Sequence, residues 1–222
     1  MEQTYKNIVI GICSPSGGGK TTLVKILSEL IEDSVSIHFD DYGDPFWNIG
    51  NFEEWINNGA DLNEIESTQL AGDLESLKFG KEVISPKSKE TLHPQKFIIF
   101  DTLVGRSHRE TGKLIDYLIY IDVSLELALS RRLLRSLEEI RGDDLDFEKT
   151  REKIEQLNEY LEAYSSQTGP RQIYLAIRDQ VKPLADLVLN GEQQAETLAD
   201  NILKILDSHS INWRMDTWPL TV

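Results

Sequence analysis

Cysteine is almost absent from this chain of 222 residues, which contains only Cys13. One cysteine cannot form an internal disulfide bond or a cysteine-rich zinc site, so we expect a reducing compartment. Long apolar runs are also absent, since none approaches the roughly 20 residues of a membrane span. The first residues, MEQTYKNIVIGIC, lack the cationic flank and cleavage site of a signal peptide. The sequence therefore predicts a cytoplasmic protein with no membrane partner.

Positive charge is scarce as well, because 23 Lys and Arg residues face 38 Asp and Glu residues, a formal net charge of -15. Such a surface repels nucleic acid, so we expect no nucleic-acid partner. A polyanionic ligand would require positive charge concentrated in one place. With 40% hydrophobic residues, the chain is long enough for one large domain, and we expect residues 1–222 to form it.

Short apolar runs alternate with amphipathic segments along the chain. The runs predict strands at 7–13, 35–39, 96–101, 117–123 and 185–190, with a small strand near 82–86. The apolar periodicity predicts helices at 20–32, 67–79, 125–140 and 147–164, and a last helix with Leu198, Ile202, Ile205 and Leu206 on one face. The strands at 96–101 and 117–123 are apolar on both faces, which is typical of parallel sheets. The prediction is an α/β fold: a five-stranded, mainly parallel sheet with helices on both faces.

Residues 11–21, GICSPSGGGKT, resemble a phosphate-binding loop between a strand and a helix. Backbone N–H groups and the helix end would face phosphate oxygens, Lys20 would reach the β- and γ-phosphates, and the Thr21 hydroxyl would bind Mg²⁺. The predicted ATP-binding residues are Ser16, Gly17, Gly18, Gly19, Lys20, Thr21 and Thr22. Ser14 stands where the pattern has glycine, which costs about 1 kcal/mol only if that position needs a positive φ. The alternative is a glycine-rich turn whose lysine points to solvent.

Acidic residues follow two of the predicted strands. Asp40 and Asp41 come after the second strand, and Asp101 ends the run FIIFD. Ligands of open α/β sheets bind at this carboxyl edge. One carboxylate of the pair could accept a proton from an attacking hydroxyl, and Asp101 could hold Mg²⁺ through water. A helix cap or turn pair is the alternative for Asp40 and Asp41.

In the segment SRRLLRSLEEIRG, Arg135 lies four positions after Arg131 and three after Arg132, so two or three guanidinium groups share one helical face. These arginines supply the local positive charge that an acidic nucleotide-binding protein needs. They predict a helical lid, at about residues 125–165, that closes over the transferred phosphoryl group. The alternative is a solvated face that pairs with Glu138 and Glu139.

The remaining candidate residues predict little chemistry. Four histidines show no metal-ligand spacing, and we assign them none: His38, His93, His108 and His209. Trp213 and Trp218, in the C-terminal tail 208–222, are expected to dock either on the body of the protein or on a second subunit. The sequence leaves both a monomer and a homo-oligomer open.

Taken together, residues from about 7 to 206 resemble the uridine kinase and phosphoribulokinase family of P-loop kinases. The resemblance is carried by GICSPSGGGKTT, FDDYG, LALSRRLLRSLEEIRG and ADLVLNG. It implies a P-loop kinase fold that uses ATP and Mg²⁺. It also implies that Asp40 is the general base, that Asp101 stands at the family's acidic position, and that Arg132 and Arg135 are phosphate-contacting lid residues, with Arg141 at a further arginine position.

The departures from the family concern the substrate. Uridine kinases carry a Tyr-Asp-Phe segment followed by a histidine and an arginine, whereas this chain has ISPKSKETLHP at 84–94. The stretch WNIGNFEEW places Asn48 where the family has an aspartate. We therefore expect a kinase that phosphorylates a hydroxyl of a small nucleoside-like or sugar-like metabolite. The alternative is a nucleotide-binding regulatory protein that has lost acceptor phosphorylation.

Overall fold

A computed structural model of the chain describes residues 7–44, 46, 48–142 and 147–208. Its strands are β1 Ile8–Cys13, β2 Ser34–His38, β3 Val83–Ile84, β4 Thr91–Leu92, β5 Phe97–Thr102, β6 Tyr117–Asp122 and β7 Leu187–Asn190. Its α-helices are α1 Lys20–Leu30, α2 Phe52–Asn57, α3 Thr68–Lys78, α4 Arg109–Gly112, α5 Leu125–Gly142, α6 Phe147–Ser165, α7 Pro170–Val181 and α8 Ala195–Ser208. Short 3₁₀ helices cover Phe39–Tyr42, Leu62–Glu64, Gly105–Ser107 and Lys182–Leu184.

Five parallel strands form the main sheet in the order β2-β5-β1-β6-β7. The central strand β1 is almost wholly buried, because apolar clusters cover both faces of the sheet. One cluster includes α3 and α7, and the other includes α1 and α8. The predicted α/β fold, with a five-stranded parallel sheet and helices on both faces, is confirmed.

The predicted elements are present, with ends that differ by one to several residues. The expected small strand near 82–86 is one arm of an antiparallel hairpin formed by β3 and β4. Helix α7 is not among the predicted elements, although Gly169 and Pro170 mark its start. Its residues Ile173, Ile177 and Val181 repeat every four positions and pack into one of the two clusters.

The described part of the chain contains no helix that is long and apolar enough to cross a membrane. Trp213 and Trp218, for which we expect a docking role, lie outside the described residues, as does all of 209–222.

The sheet topology determines where chemistry can occur. Strand β1 leads into the glycine-rich loop, and its neighbour β5 ends at Thr102. The edge strand β2 pairs with β5 and leads into the 3₁₀ helix Phe39–Tyr42. All three strands run in the same direction, so the loop, Asp101 and the acidic pair gather at one edge.

Candidate active site

The glycine-rich loop joins β1 to α1 and requires glycine for two separate reasons. Gly17 has φ 82° and Gly19 has φ 95°, a region that side-chain-bearing residues rarely adopt. A Cβ atom on Gly17 would also overlap the backbone carbonyl of Ala128 in α5. The loop therefore lies against the N-terminal turn of α5, which carries the predicted lid arginines.

Ser14, the departure from the usual loop pattern, causes no backbone strain because it is not among the described residues with positive φ. Its side chain is 1% exposed, and its Oγ has no hydrogen-bond partner among the described residues. A Cβ atom on Gly18 would collide with this hydroxyl group. Ser14 thus occupies space that only glycine at position 18 leaves free.

Lys20, the first residue of α1, folds back over the loop. Its Nζ donates a hydrogen bond of 2.8 Å to the carbonyl of Ser14 and lies 3.5 Å from the carbonyl of Pro15. The ammonium group is half-buried at the mouth of the loop. It is paired with neutral carbonyls, so its positive charge remains available to a phosphate.

Thr21 and Asp101 meet next to this lysine. The Oγ1 of Thr21 donates to Oδ2 of Asp101 at 2.9 Å, and Asp101 is 7% exposed at the end of β5. Burial opposes the ionisation of Asp101, but hydrogen bonds from His38 and Thr21 and the charge of Lys20 outweigh it, so the pKa of the carboxyl lies below its usual value. The predicted metal pair is therefore brought together.

This donor set fits Mg²⁺, which prefers oxygen ligands and is usually held by one or two protein groups plus substrate phosphates. Among the described residues, no group of three or more His, Cys, Asp or Glu side chains could hold a metal ion. An ionised carboxylate and a hydroxyl group beside the phosphate loop would suffice only if a nucleotide supplied further oxygens.

His38, to which the sequence analysis assigned no chemistry, belongs to this cluster. Its Nδ1 lies 3.5 Å from Oδ2 of Asp101, because residues 38 and 101 are register partners in neighbouring parallel strands. The hydrogen bond with Asp101 raises the pKa of His38 above its usual value, against the opposing effect of burial. The contact depends on the pairing of β2 with β5, so the spacing of residues along the chain does not indicate it.

The acidic pair after β2 separates into two environments. Asp40 is exposed and has no hydrogen bond or ion pair within the described part of the chain. Asp41 is half-buried and pairs with Nζ of Lys87 at 3.0 Å. The next residue, Tyr42, donates to Asp73 of α3 at 2.9 Å, which anchors the 3₁₀ helix.

Lys87 lies on the β3–β4 hairpin, within the segment ISPKSKETLHP that departs from the uridine kinase pattern. A small cleft of about 170 Å³ separates the hairpin from β2 and the 3₁₀ helix. It is lined by Ser36, Ile37, His38, Asp41, Tyr42, Ser85, Pro86, Ser88 and Leu92. A larger cleft of about 380 Å³, lined in part by Asn48, Glu64 and His108, contains no residue of the phosphate loop.

The arginines of α5 contact different parts of the protein. Arg132 donates to Oγ of Ser16 in the phosphate loop at 2.7 Å. Arg131 donates instead to the carbonyl of Gly191, in the turn after β7, at 2.9 Å. Arg135 is exposed. The structure therefore brings one of the two predicted lid arginines, Arg132, to the loop.

The chain is similar in sequence to curated proteins named uridine kinase and in fold to a solved structure. No family model matches the chain. It is 30% identical over 153 residues to uridine kinase from Macrococcus caseolyticus, covering 64% of this chain and 74% of that protein. It is 24% identical over 217 residues to uridine kinase from Chlamydia pneumoniae, covering 92% and 91%. A solved structure described as a "Possible Uridine Kinase" from Bacillus stearothermophilus has the same fold, with a TM-score of 0.52 at 16% identity over 85% of this chain and 91% of that one.

Proposed function

Because the chain belongs to the uridine kinase-like family of P-loop kinases, we propose that it transfers the γ-phosphate of MgATP to a hydroxyl group of a nucleoside-like or sugar-like metabolite. The relatives establish the reaction class, ATP-dependent phosphoryl transfer to a hydroxyl group of a small molecule. The class of acceptor and the roles of the individual residues are the proposed part.

The observation that carries the proposal is the contact of Thr21 with Asp101 beside Lys20. A hydroxyl group, an ionised carboxylate and an ammonium group converge where a strand and a helix meet at the phosphate loop. This combination suits the β- and γ-phosphates of a nucleotide with its metal ion. Mg²⁺, when bound, would neutralise the charge that develops on the phosphate oxygens.

The nucleotide would be held by residues of the loop and the start of α1. The loop residues Ser16, Gly17, Gly18 and Gly19 would contact phosphate oxygens, together with Lys20, Thr21 and Thr22. Thr21 and Asp101 would hold the metal ion. Lys20 would exchange the Ser14 carbonyl for a phosphate oxygen, a stronger partner because it is charged.

Asp40 is the proposed general base. A base must be ionised and free to accept a proton, and Asp40 is exposed without a partner among the described residues. Asp41 already has Lys87 as an ion-pair partner, so its carboxylate is occupied. The two environments support Asp40 over its neighbour for this role.

The lid, at about residues 125–165, would close over the transferred phosphoryl group. Arg132 is already at the loop, where it would meet the γ-phosphate. Arg135 is exposed and would join it only when the lid moves. Closure would exclude water and so favour transfer to the acceptor over hydrolysis.

Acceptor-stimulated ATP turnover is the decisive experiment. The protein is incubated with MgATP and a panel of nucleosides, sugars and sugar-like alcohols, and phosphorylated product is measured. At least one hydroxyl acceptor should raise turnover well above the rate with ATP alone. ATP binding without stimulation by any acceptor would favour the regulatory nucleotide-binding protein instead.

A further inference from the structure

Tyr160 of α6 lies against a lid arginine. The guanidinium carbon of Arg132 is 4.2 Å from the centroid of the Tyr160 ring, well within the range of a cation–π contact. The same guanidinium donates to Oγ of Ser16 in the phosphate loop at 2.7 Å. Arg132 therefore contacts both an aromatic ring and the phosphate loop.

The ring of Tyr160 is itself fixed by neighbouring helices. Its hydroxyl group is hydrogen bonded to Tyr174 of α7. Its ring packs against that of Tyr164, at 6.0 Å between centroids and 45° between planes. Tyr164 in turn donates to the carbonyl of Leu125 at the start of α5, at 3.3 Å. Three helices thus determine where the aromatic face lies.

The partners of Arg132 are uncharged, which is notable in a chain with a net charge of -15. Within the described residues, Arg132 forms no ion pair with a carboxylate. On α6, by contrast, Arg151 pairs with Glu148 and Glu155. A carboxylate partner would neutralise the arginine and compete with a phosphate, whereas a ring and a hydroxyl group hold it and leave its charge available.

We propose that Tyr160 is a positioning residue for phosphoryl transfer, and that its ring holds the guanidinium of Arg132 toward the phosphate loop before the nucleotide binds. A free arginine side chain has many rotamers, and ordering it during closure would raise the barrier. The ring reduces that loss because Arg132 is already oriented. This inference rests on the proposed kinase function.

The test compares kcat and the KM for ATP of four single variants and one double variant with those of the wild type, at a saturating concentration of the best acceptor. Tyr160→Leu removes the aromatic face and should lower kcat about 3- to 30-fold, the range expected of a cation–π contact made in the transition state. The KM for ATP should stay within about twofold. Tyr160→Phe keeps the face and should retain kcat within about twofold of the wild-type value.

Phe79→Leu is the matched control, because it makes the same aromatic-to-leucine change at a 39% exposed position after α3, outside the lid. It should leave kcat unchanged. Arg132→Ala completes a double-mutant cycle, in which Tyr160→Leu should cause no further loss of kcat once Arg132 is gone. Equal losses for Tyr160→Leu with and without Arg132, or equal losses for Phe and Leu at position 160, would overturn the proposal.

A second readout does not depend on activity. The Nε–H resonance of Arg132 should be shifted by the ring current of Tyr160 in the wild type and in Tyr160→Phe, and should move in Tyr160→Leu. An unchanged resonance in Tyr160→Leu would refute the contact. If the wild type shows the shifted resonance but no acceptor-stimulated turnover, the proposed function is overturned. If the enzyme is active but the losses of kcat in Tyr160→Leu and Arg132→Ala are independent, only the role of Tyr160 is overturned.

Discussion

Thr21 and Asp101 are 80 positions apart in the sequence, yet their side chains share a hydrogen bond of 2.9 Å beside the phosphate loop. The first turn of α1 is thereby tied to the end of β5. Neither residue type alone indicates a nucleotide site, since threonines and aspartates occur widely at helix starts and strand ends. Their meeting next to Lys20 is what supports a metal-nucleotide site.

Lys20→Ala should remove most kinase activity and leave the fold intact. In the structure, Nζ of Lys20 contacts loop carbonyls and has no carboxylate partner among the described residues, so it contributes little to the core. Turnover and thermal stability are measured side by side, with Lys25→Ala as the control because Lys25 is an exposed lysine of the same helix. Activity near the wild-type level in Lys20→Ala would refute the phosphate-loop assignment.

Asp40→Asn should preserve ATP binding and lower phosphoryl transfer about 10²- to 10⁴-fold, the usual effect of losing a general base. The amide is nearly isosteric but cannot accept the proton of the acceptor. Single-turnover kinetics and ATP titration separate the two effects. Asp41→Asn is the neighbouring control, and it should loosen the hairpin through loss of the Lys87 ion pair without the same loss of transfer. The reverse pattern would show that Asp41 is the base.

The contact of His38 with Asp101 should make stability depend on pH. The pKa of His38 is raised in the folded state, so its contribution is fully present below its unfolded pKa of about 6.5 and is lost as pH rises through the higher folded value. Urea unfolding of the protein without nucleotide or metal, from about pH 6 upward, measures this. The wild type should lose stability relative to His38→Gln as pH increases. Parallel stability curves would contradict the contact.

The sequence was sufficient to predict the strands of the main sheet and the glycine-rich loop, which depend on residues that are close together in the chain. Apolar runs marked the strands of the main sheet, and the spacing of Gly, Lys and Thr marked the loop, because each has a short-range cause. Helix α7 was not predicted, although Pro170 and the four-residue apolar repeat are typical of such a helix.

The contacts that depend on distant pairing could not be read from the chain. His38 meets Asp101 only because β2 and β5 are neighbours in that register. The spacing of Arg131, Arg132 and Arg135 indicates that two or three of them share a helical face. The helix nevertheless packs so that Arg132 contacts Ser16 while Arg131 contacts Gly191. Spacing along the chain indicates which residues are neighbours on the helix surface. The contacts that each residue makes with other elements depend on how the helix packs.

Ser14→Ala should stabilise the protein by about 1 kcal/mol. The Ser14 hydroxyl is buried without a partner among the described residues, and such a group costs about 1 to 3 kcal/mol. The free energy of unfolding from urea titration tests this, with Ser28→Ala as a comparison because its buried Oγ also lacks a partner in the described structure. A destabilised Ser14→Ala variant that still folds would show that the hydroxyl group has a bonding role.

We predict that uridine and cytidine are poor substrates. The choice of acceptor should therefore distinguish this chain from its relatives named uridine kinase. A site built to hydrogen-bond one base discriminates by roughly 10⁴-fold or more, so a site without those groups has little affinity for that base. The segment from Ser85 to His93 replaces the family's aromatic, acidic and basic residues, and its Lys87 forms an ion pair with Asp41. The measurement is kcat/KM for uridine, cytidine, other nucleosides, pantothenate-like alcohols and sugar phosphates at saturating MgATP. If uridine proved the best acceptor by a wide margin, residues outside the hairpin would have to recognise the base, and the segment 47–55 would be the first to examine.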